Sequence, residues 1–362
     1  MPYFSLKVFS LWLAVLACLL AAPARAGITY DFVTVGNAGN ASDTTVGVNT
    51  FGFGSVAYDY QVGKYDVTIG QYTAFLNAVA TTDTYSLYNS SMGTDLNIAG
   101  ISQTNGSGSY TYSVLGSANR LITYVSWWDS ARFSNWMANG QPTGAQGSTT
   151  TENGAYNVNG ATSGNAVAKN ATNPNTSAAP TFYVPTENEW YKAAYYSPNY
   201  GGSGSGGYYA YATQSNTAPG NVVGSGANQA NYNNGVYSVT QLGGGADVNQ
   251  NYLTDVGAFS GSGSFYGTFD QSGNVFQWND LDGAAGSVRG LRGGDWGSNA
   301  SLLLSSSSYS YVPSREDLSF GFRLTSPVSV SGVPEIDPNG LSAVLGLIVG
   351  GLGLLERRRY GR

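Results

Sequence analysis

Only three stretches of this chain carry the apolar spacing of a helix, and long runs of small polar residues separate them. In 66–80, Tyr72, Phe75, Leu76 and Val79 fall at i, i+3, i+4 and i+7, which makes one apolar face. In 126–138, Ser126 with Asp129 three residues on resembles a capping box, and Asn139-Gly140 supplies a stop. In 186–196, Thr186 and Glu189 form a T-x-x-E cap after Pro185, and Pro198 ends the run. Between them, 141–179 is rich in Gly, Thr, Asn and Ala, and 201–207 is nearly pure Gly and Ser. Both read as surface insertions. No regular short-period repeat is present, so the expectation is a few helices among many short strands and loops.

Composition then narrows the chemistry. Histidine is absent from the 362 residues, and the one cysteine, Cys18, lies in the N-terminal apolar run. A chain without that run has no disulfide, no thiolate nucleophile and no imidazole base or ligand. Zinc, copper and iron sites built on His or Cys are therefore not expected. Charged residues make up 10%, so the surface is rich in hydroxyls and amides.

Both ends read as addressing signals. Lys7, an apolar stretch from Val8 to Ala22, and Ala24-Arg25-Ala26 form the pattern of a secretory signal peptide over 1–26. The run Val15-Leu16-Ala17-Cys18 leaves a lipoprotein reading open. At the other end, 341–355 is a fifteen-residue largely apolar run, about 22 Å as a helix against a ~30 Å hydrocarbon core. It is followed by Arg357, Arg358 and Arg359, which would stay cytoplasmic. A plain anchor is one reading. Val333, Pro334 and Glu335 with the apolar run and the arginines also resemble a PEP-CTERM sorting tail, although Ile336 and Asp337 depart from its commonest continuation. That resemblance implies an exosortase-type sorting protease as partner, transient membrane contact, and export to the cell envelope or extracellular matrix of a Gram-negative bacterium.

The organisation expected is 1–26 signal peptide, 27–54 lead-in, 55–326 main domain, 327–340 linker and sorting motif, 341–355 transmembrane segment and 356–362 basic tail. Removing both ends takes away six of 15 basic residues and three of 21 acidic ones, leaving a core near −9. Nucleic acid is not expected as a partner of such a surface.

Several segments carry a second resemblance. They are TYVSWWDSARFSNWM (123–137), VPTENEWYKAAYY (184–196), GNVFQW (273–278), LRGGDW (291–296) and FGFRL (320–324), with YDVTIGQYTAFLNAV (65–79) as an opening helix. In that order they resemble the formylglycine-generating enzyme (sulfatase-modifying factor) family over roughly 55–326. The resemblance implies an α+β fold, an elaborated C-type-lectin-like domain with few regular elements and many loops.

Arg292, beside Gly293-Gly294, and Arg323 read as structural, making buried ion pairs or carbonyl contacts, and Trp190 as a core anchor. Paired carboxylates are an acid–base chemistry that the composition leaves open. Glu187 and Glu189 cannot face the same way on a helix, and Asp280 and Asp282 read as loop residues that solvate or cap.

The family's copper enzymes hold their metal through two cysteines shortly after the G-G-x-W/Y turn. The same spacing falls here on Ser298 and Leu303. Neither supplies a soft thiolate. The family's sulfoxide synthases hold iron with histidines, of which there are none here. The resemblance also implies calcium, through Asp270, the Gly273 and Val275 carbonyls and Gln277, which stands where the family has Glu. A second set maps onto Asn231 and the Tyr232 carbonyl, with Asn249 and the Asn251 carbonyl. The reading is an exported, non-catalytic binding or structural module with a cell-surface or matrix glycan or protein as partner. The alternative is an oxidoreductase of the formylglycine-generating type with an atypical site.

Overall fold

The computed structural model describes residues 27–44, 52–202 and 204–327. The expected signal peptide, the sorting motif Val333–Glu335, the apolar run 341–355 and Arg357–Arg359 lie outside the described residues. Among the described residues no helix is long and apolar enough to cross a membrane.

Strand β1 (Phe32–Val35) pairs antiparallel with β2 (Tyr60–Gly63), with Phe32 opposite Gly63 and Val35 opposite Tyr60. The closing strand β11 (Thr325–Ser326) pairs on the other side of β2, giving the order β1-β2-β11. The lead-in thus contributes a strand to the domain. A four-stranded sheet has the order β10-β7-β8-β9, from Phe320–Phe322, Phe276–Asn279, Arg289–Arg292 and Tyr309–Tyr311. Its β10–β7 pair is parallel and the others antiparallel. Two small hairpins, β3–β4 (Ile101–Thr104, Thr111–Val114) and β5–β6 (Tyr196–Ser197, Gly207–Tyr208), complete the strands among the described residues. This is the loop-rich α+β architecture that the sequence implies.

The three expected helices form, each with a reciprocal capping box. Helix α1 is Ile69–Val79, α2 Trp127–Ala138 and α3 Glu187–Tyr195, with Thr68, Ser126 and Thr186 as N-caps. Helix α1 starts later than position 66 because Thr68 and Gln71 close its box, and Asp66 is drawn into the interior by Arg323. All four positions of its predicted face are buried. Helix α2 is buried on every side, Asp129, Arg132 and Asn135 included. It can be, because its charged and amide side chains find partners: Arg132 takes Glu152 bidentately, and Asn135 brackets the Thr151 and Tyr156 carbonyls.

Those partners come from 141–179, which corrects the reading of that stretch as a surface insertion. Thr151, Glu152, Ala155, Tyr156 and Val158 are all buried. They answer the polar face of α2, and composition does not reveal such a role. Trp127, Trp136, Phe75, Phe133, Trp278 and Phe322 form the centre of the core, with Phe75 and Phe133 at 5.2 Å edge to face.

Candidate functional site

The alternation of side chains across the four-stranded sheet places Arg292, Gln277 and Arg323 on one face. Gln277 lies opposite both Arg292 on β8 and Gly321 on β10. Helix α3 covers this face. Arg292 pairs with Glu187 from its first turn and donates to the Ser305 and Ser307 carbonyls at 2.7 and 2.9 Å. Its guanidinium also lies 4.9 Å from the ring centres of Phe53 and Tyr191. Arg323 faces Asp66 at 3.1 Å and donates to the Gly63 and Phe269 carbonyls at 2.9 and 2.8 Å. Both arginines are structural, as their sequence context indicates.

Gln277 ties Arg323 and Asp66 to Trp190 of the covering helix. Its Oε1 accepts from Trp190 Nε1 at 2.7 Å and from Arg323 Nε at 2.8 Å, and its Nε2 donates to Asp66 Oδ2 and to the Asp270 carbonyl. Two fixed donors at Oε1 set the amide's orientation. The oxygen that would face calcium is thus committed to a guanidinium, so Gln277 as placed does not fit a cation. Asp270 accepts from the Gly257 N–H at 2.8 Å, and the Gly273 carbonyl from the Val275 N–H at 2.9 Å. Burial pushes the Asp270 carboxyl up to about 6, against the pull of the Gly257 N–H and Arg323.

The second expected set is brought only partly together. Asn231 bridges Gly273 and donates to the Tyr252 carbonyl and Asn274 Oδ1, each at 2.9 Å. The Tyr232 carbonyl accepts from Asn221 and Ser238. Asn249 is exposed beside Asp247, and Asn251 is tied to the Ala99 carbonyl. Among the described residues no three Asp or Glu side chains gather into a group that could hold a metal ion.

The segment after β8 is a tight turn. Gly293 and Gly294 have φ of 101° and 75°. A Cβ on Gly294 would stand 2.6 Å from Leu303 Cδ1. Asp295 Oδ1 accepts from Gly297 N–H at 3.0 Å and Ser298 Oγ at 2.7 Å, while Asp295 N–H donates to Ser298 Oγ at 3.1 Å. Asn299 then caps a 3₁₀ turn, Ala300–Leu303. Leu303, fully buried, packs with Tyr211, Ala230 and Tyr232. At the two positions onto which the sequence resemblance carries the copper enzymes' thiols, one side chain closes an aspartate turn and the other plugs an apolar pocket.

Asp280 corrects a further expectation. It is fully buried and meets Arg289 Nε at 2.7 Å and Tyr156 Oη at 2.9 Å, rather than solvating a loop. Burial still pushes its carboxyl up to about 7, outweighing Arg289. Asp282 does cap, accepting from Ala284 N–H. Glu189 serves the α3 box and accepts from Tyr183 and Tyr58. The sequence reading missed Asp66 and Glu152 as ion-pair partners. The available signal was an arginine within the apolar α2 and another directly after the apolar β10, whose burial demands a carboxylate.

The fold, with few helices and small sheets in a loop-rich α+β arrangement, is that of a domain of the formylglycine-generating type. Residues 52–327 match the sulfatase-modifying factor enzyme 1-like domain, and the chain belongs to that family. Among solved structures, it is similar to CarF at 19% identity, over 83% of this chain and 99% of that one, with a TM-score of 0.44. Treponema denticola variable protein 1 is similar at 17% identity, over 84% of this chain and 97% of that one, with a TM-score of 0.44. PvdO from Pseudomonas aeruginosa is similar at 16% identity, over 83% of this chain and 93% of that one, with a TM-score of 0.40. No curated protein sequence matches.

Proposed function

We propose that this chain is an exported, non-catalytic member of the family, a binding or structural module rather than an oxidase. The observation that carries the reading is the identity and packing of Ser298 and Leu303. A serine hydroxyl stays protonated at neutral pH and is a hard oxygen donor, and leucine has no donor, so copper(I) finds no thiolate pair here. From residue 27 onward the chain holds no cysteine or histidine to take their place. Export rests on the 1–26 pattern. Sorting to the envelope or matrix of a Gram-negative bacterium by an exosortase-type protease rests on Val333–Glu335 and Arg357–Arg359. A surface near −9 suits neutral glycan or protein partners better than nucleic acid.

Incubation of the purified chain with copper, oxygen and a cysteine-containing peptide tests the non-catalytic part. Recovery of unmodified peptide is expected. Aldehyde formation at the cysteine, at a rate that scales with protein, contradicts it.

A further inference from the structure

A polar cleft of the described domain lies far along the chain from the Ser298–Leu303 turn, beside the segment Gly27–Asp31. That segment is held mostly by side-chain amides and a phenol instead of a strand ladder. Gln141 Oε1 accepts from Ile28 N–H at 2.7 Å, and its Nε2 donates to the Ile28 carbonyl at 2.9 Å. Gln71 Nε2 donates to the Thr29 carbonyl at 2.8 Å. Tyr30 Oη donates to the Tyr65 carbonyl and accepts from Leu324 N–H. On the side of the α1 N-terminus this leaves an open cleft of about 580 Å³. Small-molecule sites ordinarily fall within roughly 300–1,000 Å³.

Most polar groups of its wall are already spent. Thr68 and Gln71 serve the α1 cap, Tyr30 Oη has both a donor and an acceptor partner, and Asp66 faces Arg323 and Gln277. Four are not. Thr29, Asp31, Tyr65 and Asn119 line the cleft, and their side chains make no hydrogen bond among the described residues. They come from three separate segments: the N-terminal strap, the turn after β2 and the loop before Leu121. Tyr30 and Tyr65 add aromatic surface, the second backed by Phe269 at 5.7 Å.

The chemistry of that set selects its ligand by exclusion. No Lys or Arg lines the cleft, and Asp31 does, so phosphates, uronates and nucleic acid are disfavoured. One free carboxylate is too few oxygens for a divalent cation. An acceptor-only carboxylate, a donor–acceptor amide and a phenol require a ligand dense in neutral hydroxyls, and tyrosine rings suit its C–H faces. We propose that this cleft binds a short neutral oligosaccharide, held by Asp31, Asn119 and Tyr65. The proposal rests on reading the domain as a binding module, and it gives that module a ligand class and a place.

The test is calorimetric titration of the full chain with cellotriose, maltotriose, mannotriose and xylotriose, with trigalacturonate as an acidic probe. At least one neutral trisaccharide should bind. Asp31→Ala and Asn119→Ala, both at exposed positions, should each weaken it about tenfold without moving the melting temperature. Absence of heat with all four neutral sugars overturns the proposal. So does binding unaltered in both variants, or trigalacturonate binding as well as the neutral sugars. None of these results bears on copper, so failure here and failure of the non-catalytic reading are separable.

Discussion

Arg132, Arg289, Arg292 and Arg323 are all but fully buried, and each is answered by one carboxylate and by backbone carbonyls. Such pairs stabilise little relative to an apolar replacement, but losing one partner strands a charge. Arg323→Ala is therefore expected to cost about 3–5 kcal/mol in urea unfolding, by leaving Asp66 in the interior. Adding Asp66→Ala should recover part of that loss, and strict additivity of the two would contradict the account. The structural roles of Arg292 and Arg323 were legible, because each sits among glycines and apolar residues where a free guanidinium could not remain. Asp280 was not legible: a single acid after a strand looks like a cap until Arg289 is seen beside it.

Asp129 carries a different consequence. Burial pushes its carboxyl up to about 8 and Glu316 acts in the same direction, while Ser126 and Arg132 pull it down. An unfolded aspartate titrates near 3.9, so between roughly pH 4 and 8 the folded chain holds a proton that the unfolded chain has released. The associated stabilisation is fully present below about pH 4 and is lost as the pH rises through about 8. Asp270 and Asp280 shift in the same direction. The melting temperature should fall between pH 5 and pH 9, and Asp129→Asn should flatten the fall. A profile that rises over this range, or is unchanged by the substitution, refutes the assignment.

At the scale of elements, the helices were the most legible part because their ends are written locally. Thr186 and Glu189 close a reciprocal box in which Thr186 Oγ1 accepts from Glu189 N–H at 3.3 Å, and Glu189 Oε2 accepts from Thr186 N–H at 2.8 Å. Thr186→Ala should cost about 1 kcal/mol, read as a shift of the urea midpoint at constant slope. No shift would mean that packing alone fixes the start of α3. The strands run only two to four residues, too short for alternation to declare them. Their positions come from pairing between distant segments, such as β11 with β2. The buried run at 151–158 escaped for a related reason, since its partner is a helix face that exists only after folding.

For the whole molecule, motif order proved more informative than any single motif: 55–326 was the expected domain and 52–327 is the matched one. Ordered motifs reflect a shared scaffold, which many distant contacts hold in place, whereas ligand identity depends on a few exchangeable side chains. At the candidate site the sequence shows Ser298 and Leu303 where the resemblance carries the thiols, but not the commitment of Gln277 to Arg323. The cleft beside Gly27–Asp31 was invisible, because three segments far apart in sequence build it. If 333–362 has the proposed sorting role, deleting it should increase release to the medium, and identical fractionation with and without these residues would refute that role.

The proposed loss of metal chemistry from a retained family scaffold is open to anaerobic copper(I) titration against a competing chromophoric chelator. The purified chain from residue 27 onward should withdraw no copper from the chelator. Stoichiometric withdrawal of one copper per chain would contradict it.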